Sequence, residues 1–160
     1  MRISSMFSLG WVAPVVLALS WSACAGQGLT FSGSWHLNVE KSRWGSATKP
    51  FSVVIVMEHR EPIIEYHGTV TYMNEETRAF GFSGAFDSKP YRMTRSYGDG
   101  EITLRRVDGL TFDSTFRSDD GNYTESARTS LSRDGKLLTR KLAVTSPDGK
   151  KSWTEVYEKR

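Results

Sequence analysis

The fold of this chain is decided by a stretch of its second half that reads, over residues 99–121, DGEITLRRVDGLTFDSTFRSDDG. Asp-Gly pairs at 99–100, 108–109 and 120–121 separate two short segments. A tight hairpin turn needs a positive φ at one or two residues, which glycine adopts freely and aspartate tolerates. Within both segments apolar residues alternate with polar ones, which is typical of half-buried strands. The stretch therefore predicts consecutive antiparallel strands joined by tight turns.

The same pattern extends through most of the chain. Two further Asp-Gly pairs, Asp134-Gly135 and Asp148-Gly149, mark turns near the end. Alternating segments with looser turns begin near Phe31, Phe51 and Ile64 in the first half. We expect an all-β fold, an antiparallel up-and-down meander of about 8–10 strands closed into a barrel. Closure into a barrel removes the two exposed edge strands of an open sheet. A two-sheet sandwich is the alternative fold.

Length and charge limit the domain organisation and the partners. The chain has 160 residues, with 21 basic and 18 acidic side chains and a formal net charge of +3. This size fits one domain, which we place at residues 26–160. Both signs of charge are plentiful and no dense basic run occurs, so we expect no binding to nucleic acid. We also expect a monomer.

The first residues carry the features of a secretory signal peptide. Arg2 precedes an apolar run over residues 11–19, and the small residues Ala23-Cys24-Ala25 follow. We predict that residues 1–25 are removed and that the protein is secreted or periplasmic, with no membrane span after this removal. The alternative is a lipoprotein anchored through Cys24, the only cysteine of the chain.

Three motifs lie at the start and at the end of the predicted barrel. The first strand opens with Gly33-Ser34-Trp35, within the run GSWHLNVEKS over residues 33–42. Asp134-Gly135-Lys136 and Val156-Tyr157-Glu158-Lys159 lie near the end. The first motif resembles the Gly-x-Trp that opens lipocalins and related calycin barrels. Together the motifs resemble a group of uncharacterised bacterial secreted proteins, whose members tend to carry glycine at the position of Ser88.

This resemblance implies a lipocalin-like barrel and no particular activity. It implies that Trp35 plugs one end while Gly33 lets the chain pass tightly. It also implies that Lys159 or Arg160 packs over the tryptophan ring. Fatty-acid-binding barrels carry Arg-x-Tyr on the last strand to hold a carboxylate, whereas this chain has Glu155-Val156-Tyr157. The resemblance therefore does not imply a fatty-acid ligand.

The sequence gives little support for catalysis or metal binding. His36, His59 and His67 are the only histidines, and their spacing matches no metal-binding motif. We expect His36 and His67 to face solvent and His59 to lie in a turn. We predict no metal, no cofactor and no catalytic residue.

The side chains predicted to face inward are a mixture of aromatic and charged groups. A wholly apolar core would avoid such charges, because unpaired buried charge is costly. Either the strands change phase at bulges, or the lumen is polar and holds a ligand. The candidate lumen residues are Tyr66, Tyr72, Tyr91, Met93, Arg95, Tyr97, Arg106, Phe112, Phe116, Tyr123, Glu125 and Arg140.

Three classes of function follow from these patterns. The first is an extracytoplasmic protein that binds a small amphipathic or hydrophobic molecule in its lumen. The second is a filled barrel that acts through its surface, without a small ligand. The third is a barrel enzyme, which the lack of a paired acid and base disfavours. A lumen of roughly 300 Å³ or more would favour the first class over the second.

Overall fold

The computed structural model describes residues 29–160, so the predicted signal peptide and Cys24 lie outside the described residues. The described part forms ten β-strands joined mainly by short turns. They are β1 (Gly33–Leu37), β2 (Ser52–Arg60), β3 (Ile63–Thr71), β4 (Thr77–Ala85), β5 (Asp87–Arg95), β6 (Gly100–Asp108), β7 (Thr111–Ser118), β8 (Thr124–Leu131), β9 (Leu137–Ser146) and β10 (Gly149–Lys159).

The strands form one closed antiparallel barrel. Each strand pairs with the next along the chain, and β1 also pairs with β10 with Trp35 opposite Lys159. The predicted all-β class and closed meander are confirmed, with ten strands at the upper end of the expected number. Residues 29–160 contain no α-helix. In this same part of the chain, no helix is long and apolar enough to span a membrane.

All five Asp-Gly pairs lie at the connections between consecutive strands from β5 to β10. Gly121 and Gly135 have φ values of 72° and 69°, in the left-handed region. A side chain would strain the backbone there, which is why glycine ends these turns. The alternating pattern and the turn chemistry thus act together to set the order of the strands.

Trp35 is buried near one end of the barrel, which is called the closed end below. Its side chain is fully buried, and its indole Nε1 donates to the Phe31 carbonyl at 2.9 Å. The Lys159 ammonium lies 5.3 Å from the centre of the Trp35 ring, at cation–π distance. A Cβ atom on Gly33 would lie 2.4 Å from Cε of Lys159, so the end of this lysine would have to move, and the φ of 145° at Gly33 itself favours glycine. The expected packing of Lys159 over the tryptophan ring is confirmed.

The prediction that His59 lies in a turn is wrong. His59 belongs to β2 and is 7% exposed, because its ring packs between Phe31 and Phe86 with ring centres 5.5 Å away from each. Its Nδ1 accepts a hydrogen bond from the Phe31 amide at 3.4 Å. The apolar alternation of β2 therefore continues through a polar residue that the sequence reading placed outside the strand.

The connection between β1 and β2 is fastened to β10. Asn38 donates from Nδ2 to Glu158 at 2.9 Å and accepts the Lys41 amide at Oδ1, also at 2.9 Å. The Ser42 hydroxyl donates to the Asn38 carbonyl and accepts the Val156 amide. These contacts hold the following residues, 43–50, over the other end of the barrel. The sequence motif over residues 33–42 is thus a structural one.

Candidate functional site

The barrel contains a cavity of about 360 Å³ that opens at the end opposite Trp35. Its mouth is formed by the β1–β2 connection, including Trp44 and Thr48, by Tyr72 and Arg78 beside the β3–β4 turn, and by Asp148 in the β9–β10 turn. This volume lies within the range of about 300–1,000 Å³ that is usual for small-molecule sites. It is also larger than the roughly 300 Å³ above which we expect a ligand-binding lumen and not a filled one.

The upper walls of the cavity are largely aromatic. Tyr66 stacks on Phe82 with ring centres 5.2 Å apart and contacts Phe80 at 5.6 Å. Phe116 and Tyr123 form an edge-on pair at 6.1 Å on the side of β7 and β8. Flat, apolar faces of this kind provide most of the contact area in small-molecule pockets. The walls therefore suit an apolar or aromatic ring.

Four charged side chains form a continuous chain of ion pairs inside the cavity, called the polar chain below. Arg95 contacts Glu125 at 3.2 Å, Glu125 contacts Arg140 at 3.5 Å, and Arg140 contacts Glu155 at 3.2 Å. None of the four side chains is more than 13% exposed. Charges buried to this degree are costly unless they are paired and hydrogen-bonded. Here the two positive and two negative groups alternate, so each charge has an opposite neighbour.

Neutral donors complete the hydrogen bonding of the Glu125 and Glu155 carboxylates. The Tyr123 hydroxyl donates to Glu125 at 3.1 Å. Glu155 accepts from the Tyr157 hydroxyl at 2.7 Å and from the Trp153 indole at 2.8 Å. Every carboxylate oxygen of the polar chain therefore contacts a donor.

The arginines of the polar chain stabilise the ionised form of the Glu125 carboxyl. Burial by itself would raise the pKa of Glu125, but the charges of Arg95 and Arg140 outweigh burial and hold this pKa below its usual value. Burial raises the pKa of the Tyr66 and Tyr157 hydroxyls. At neutral pH the Glu125 carboxyl is therefore ionised, and the Tyr66 and Tyr157 hydroxyls are neutral.

Several donors at the cavity have no acceptor. Five buried side-chain nitrogen or oxygen atoms lack a hydrogen-bond partner within residues 29–160, and four of them belong to residues that line the cavity. Buried polar groups are normally paired with protein or water, so several unpaired donors on the residues that line one cavity are unusual. The four atoms are Trp44 Nε1, Tyr66 Oη, Arg95 Nε and Arg140 Nε.

At the mouth, Arg78 lies between two tyrosines. Its guanidinium carbon is 5.2 Å from the ring centres of both Tyr72 and Tyr97, and its Nε donates to Glu76 at 2.7 Å. The hydroxyl of Tyr97 in turn accepts from Arg95 at 3.3 Å. These contacts join the β3–β4 turn to the outer end of the polar chain.

Ten of the twelve candidate lumen residues line the cavity. Tyr91 and Arg106 do not. Tyr91 donates to Asp87 at 3.0 Å near the start of β5, and its ring packs against Gly84. The ten that line the cavity are Tyr66, Tyr72, Met93, Arg95, Tyr97, Phe112, Phe116, Tyr123, Glu125 and Arg140.

Arg106 lies at the closed end of the barrel. Its guanidinium stacks over Phe86 at 3.8 Å from the ring centre and contacts His59 and Glu61. The alternation of β6 predicts its inward direction but not the end of the barrel at which it lies. It therefore belongs to the packing around Phe31 and His59 and not to the cavity.

The sequence reading missed other residues that line the cavity, among them Trp44, Trp153, Glu155 and Tyr157. The last three alternate on β10, and this period of two was a usable signal. Trp44 lies in an irregular connection, for which periodicity gives no direction.

No group of three or more His, Cys, Asp or Glu side chains in residues 29–160 is arranged to hold a metal ion. The chain matches none of the protein-family models and none of the curated protein sequences with which it was compared.

Proposed function

We propose that this protein binds a small amphipathic molecule in the cavity of its barrel. The observation that carries the proposal is the cluster of four unpaired donors around a cavity of about 360 Å³. A ligand with an apolar body would contact the rings of Phe80 and Phe82. Its polar group would lie beside the polar chain and would accept hydrogen bonds from the buried unpaired donors once their side chains turn toward the cavity. Both halves of an amphipathic molecule therefore have matching surfaces.

The cavity chemistry favours binding over a purely structural core. A filled barrel would gain stability from apolar side chains in place of the polar chain, because replacing buried ion pairs with apolar groups is often neutral or stabilising. Arg140 and Glu155 instead lie beside empty volume that is open to solvent at one end. An open cavity lined by both apolar and charged groups is the usual form of a small-molecule site.

The pKa values favour binding over proton-transfer catalysis. A general acid or base works best when its pKa lies near the operating pH. In this cavity the pKa of Glu125 is lowered and the pKa values of Tyr66, Tyr123 and Tyr157 are raised. The pKa values of these four groups are therefore shifted away from neutral pH. Groups that do not change their protonation state near pH 7 suit a fixed hydrogen-bonding surface.

The finer classification and the location of the protein belong to the same proposal. The burial of Trp35 beneath Lys159 supports a lipocalin-like barrel. We propose that the protein works outside the cytoplasm after removal of residues 1–25. An intact mass that begins at Gly26 would support this location. A lipid-modified Cys24 would replace it with an anchored form, and a retained Met1 would contradict both.

A thermal-shift screen of aromatic acids, acidic lipids and neutral aromatic compounds tests the proposed binding. A ligand that binds only the native state at a hundredfold excess over Kd stabilises it by about 2.7 kcal/mol. The cavity variant is Val144→Phe, because Val144 lines the cavity and lies opposite Glu125 in the barrel. We expect this variant to fold and to lose the stabilisation by any compound that stabilises the wild type.

The matched control is Val56→Phe, which makes the same change on the exposed outer face of β2. This variant should respond to ligands as the wild type does. If Val144→Phe keeps the full response, the compound binds elsewhere and the cavity is not its site. If no compound in the screen stabilises the wild type, the protein is better described as a barrel that acts through its surface.

A further inference from the structure

We infer that the cavity selects uncharged molecules that carry a hydrogen-bond acceptor, such as an aromatic ketone, over anions of the same shape. This inference rests on the proposed function and names the chemical class of its ligand. Two separate observations carry it: the charge balance of the polar chain and the kind of hydrogen-bonding group left unpaired.

The positive charge in the cavity is already neutralised. Glu125 is shared between Arg95 and Arg140, and Glu155 takes the other side of Arg140. The two guanidinium groups and two carboxylates sum to zero. An anionic ligand would add a net negative charge beside the Glu125 and Glu155 side chains, in surroundings where charge is weakly screened. The arginines therefore offer hydrogen bonds without a net attraction for an anion.

At the mouth the charges are also balanced. Arg78 pairs with Glu76, and Asp148 and Lys151 contribute opposite charges on the side of β10. The charges at the mouth therefore create no net positive potential. Nothing at the mouth offsets the free-energy cost of moving an anion from water into the cavity. A net charge of either sign has to lose its hydration to enter, whereas a neutral molecule does not.

The unpaired groups are all able to donate. The Glu125 and Glu155 oxygens already contact arginine, tyrosine or tryptophan donors. By contrast, the indole of Trp44 and the hydroxyl of Tyr66 have no partner within residues 29–160, and neither have the Nε atoms of the two arginines. These atoms are buried, so a ligand that brings a carbonyl or similar acceptor would pair one or more of them after a local turn of the side chain toward the cavity. A pure hydrocarbon would leave them unpaired and would gain none of these hydrogen bonds.

Three naphthalene derivatives of nearly equal shape separate these effects. They are methyl naphthyl ketone, naphthoate and isopropylnaphthalene, which offer a neutral acceptor, a charged acceptor and no acceptor. Affinities are measured by titration calorimetry on the wild-type protein at neutral pH. We expect the ketone to bind more tightly than either of the others by about tenfold in Kd, which equals about 1.4 kcal/mol.

The outcomes distinguish the inference from the function on which it rests. Tighter binding of naphthoate than of the ketone overturns the charge argument and leaves a ligand-binding cavity. Equal binding of the ketone and the hydrocarbon overturns the donor argument in the same way. Binding by none of the three overturns the inference, and only the broader ligand screen with Val144→Phe then decides whether the protein binds small molecules at all.

A variant of the polar chain tests the charge balance directly. Glu125→Gln keeps the shape of the side chain and leaves the cavity with one excess positive charge. We expect its affinity for naphthoate relative to the ketone to rise by about tenfold. Glu65→Gln, on the exposed outer face of β3, is the matched control and should leave the preference unchanged. An unchanged preference in Glu125→Gln overturns the inference, and the wild-type comparison keeps it testable if this variant does not fold.

Discussion

At the scale of single residues, Trp35 and Lys159 show how two chain ends close one end of the barrel. Trp35 lies on the first strand and Lys159 on the last, and the two are opposite each other in the β1–β10 pair. The tryptophan supplies a large apolar ring, and the lysine covers it while keeping its ammonium near solvent. The plug that we expect from Trp35 therefore depends on barrel closure, and it would also contribute to that closure.

Replacing Trp35 by alanine tests this plug. We expect Trp35→Ala to lower the free energy of unfolding by about 3–5 kcal/mol, because it removes a fully buried ring and leaves a cavity. Urea unfolding followed by circular dichroism measures this loss. Trp44→Ala is the control, since Trp44 is only partly buried in a connection, and it should cost less. A loss within about 0.5 kcal/mol for Trp35→Ala would contradict the plug.

His59 gives the closed end a dependence on pH. Burial lowers its pKa below 6.5; Glu61 acts in the opposite direction and Arg106 in the same direction as burial. The unfolded chain therefore takes up a proton at this residue at a higher pH than the folded chain does. The stability that His59 contributes is present above about pH 6.5 and falls as the pH is lowered through that value.

We expect the free energy of unfolding of the wild type to fall more between pH 7.5 and pH 5.5 than that of His59→Gln. Chemical unfolding at the two pH values gives both differences. His67→Gln is the matched control, because His67 lies on β3 with its side chain exposed. This control should retain the dependence of the wild type. A dependence that is equal in His59→Gln and the wild type would exclude His59 as its source.

At the scale of elements, β5 contains an irregularity that the alternating pattern does not predict. Its register against β6 shifts between Asp87 and Pro90, and Ser88 has a φ of 64°. The Asp87 side chain accepts the Lys89 amide at 3.0 Å and so holds this conformation. A left-handed conformation is unfavourable for residues with a Cβ atom, which explains physically why glycine suits this position.

We expect Ser88→Gly to raise the free energy of unfolding by up to about 1 kcal/mol, because the relief of strain at φ 64° exceeds the entropy lost on ordering glycine. Thermal unfolding in a calorimeter measures the change. Ser83→Gly is the control, since Ser83 is an exposed residue inside β4, and it should be destabilising by about 0.5–1 kcal/mol. Destabilisation of similar size in both variants would mean that Ser88 is not strained.

At the scale of the whole molecule, the polar chain links β5 and β8, two strands that do not pair with each other. Arg95 on β5 and Glu125 on β8 are separated by two strands of the barrel, and their side chains meet across the lumen. Arg140 on β9 then links Glu125 with Glu155 on β10. The chain thus ties one wall of the barrel to the other through the cavity that we propose as the binding site.

We expect Arg140→Met to lower the free energy of unfolding by about 3–5 kcal/mol, because it leaves Glu155 buried without its positive partner. Urea unfolding gives the value. Arg128→Met is the matched control, since Arg128 pairs with Asp113 on the exposed outer face, and such pairs contribute about 0.2–1 kcal/mol. A loss as small as that of the control would show that the remaining contacts of Glu155 suffice for its burial.

The sequence by itself determined the strands, their order and the face on which most side chains lie. Asp-Gly pairs such as Asp134-Gly135 set the turns, because few residues adopt a positive φ without strain. Alternation with a period of two set the inward direction of Arg95, Glu125 and Arg140, because successive side chains of a strand point to opposite faces. These are local properties, and they need no knowledge of the partner strand.

Only the tertiary structure decided which inward residues meet. Arg106 and Arg140 carry the same inward signal, yet one packs over Phe86 at the closed end and the other lies in the cavity. Alternation gives the face of a strand but not the position along the barrel axis, which depends on strand stagger and closure. Contacts across the lumen, such as Arg95 with Glu125, join residues 30 positions apart and exist only once the barrel has closed.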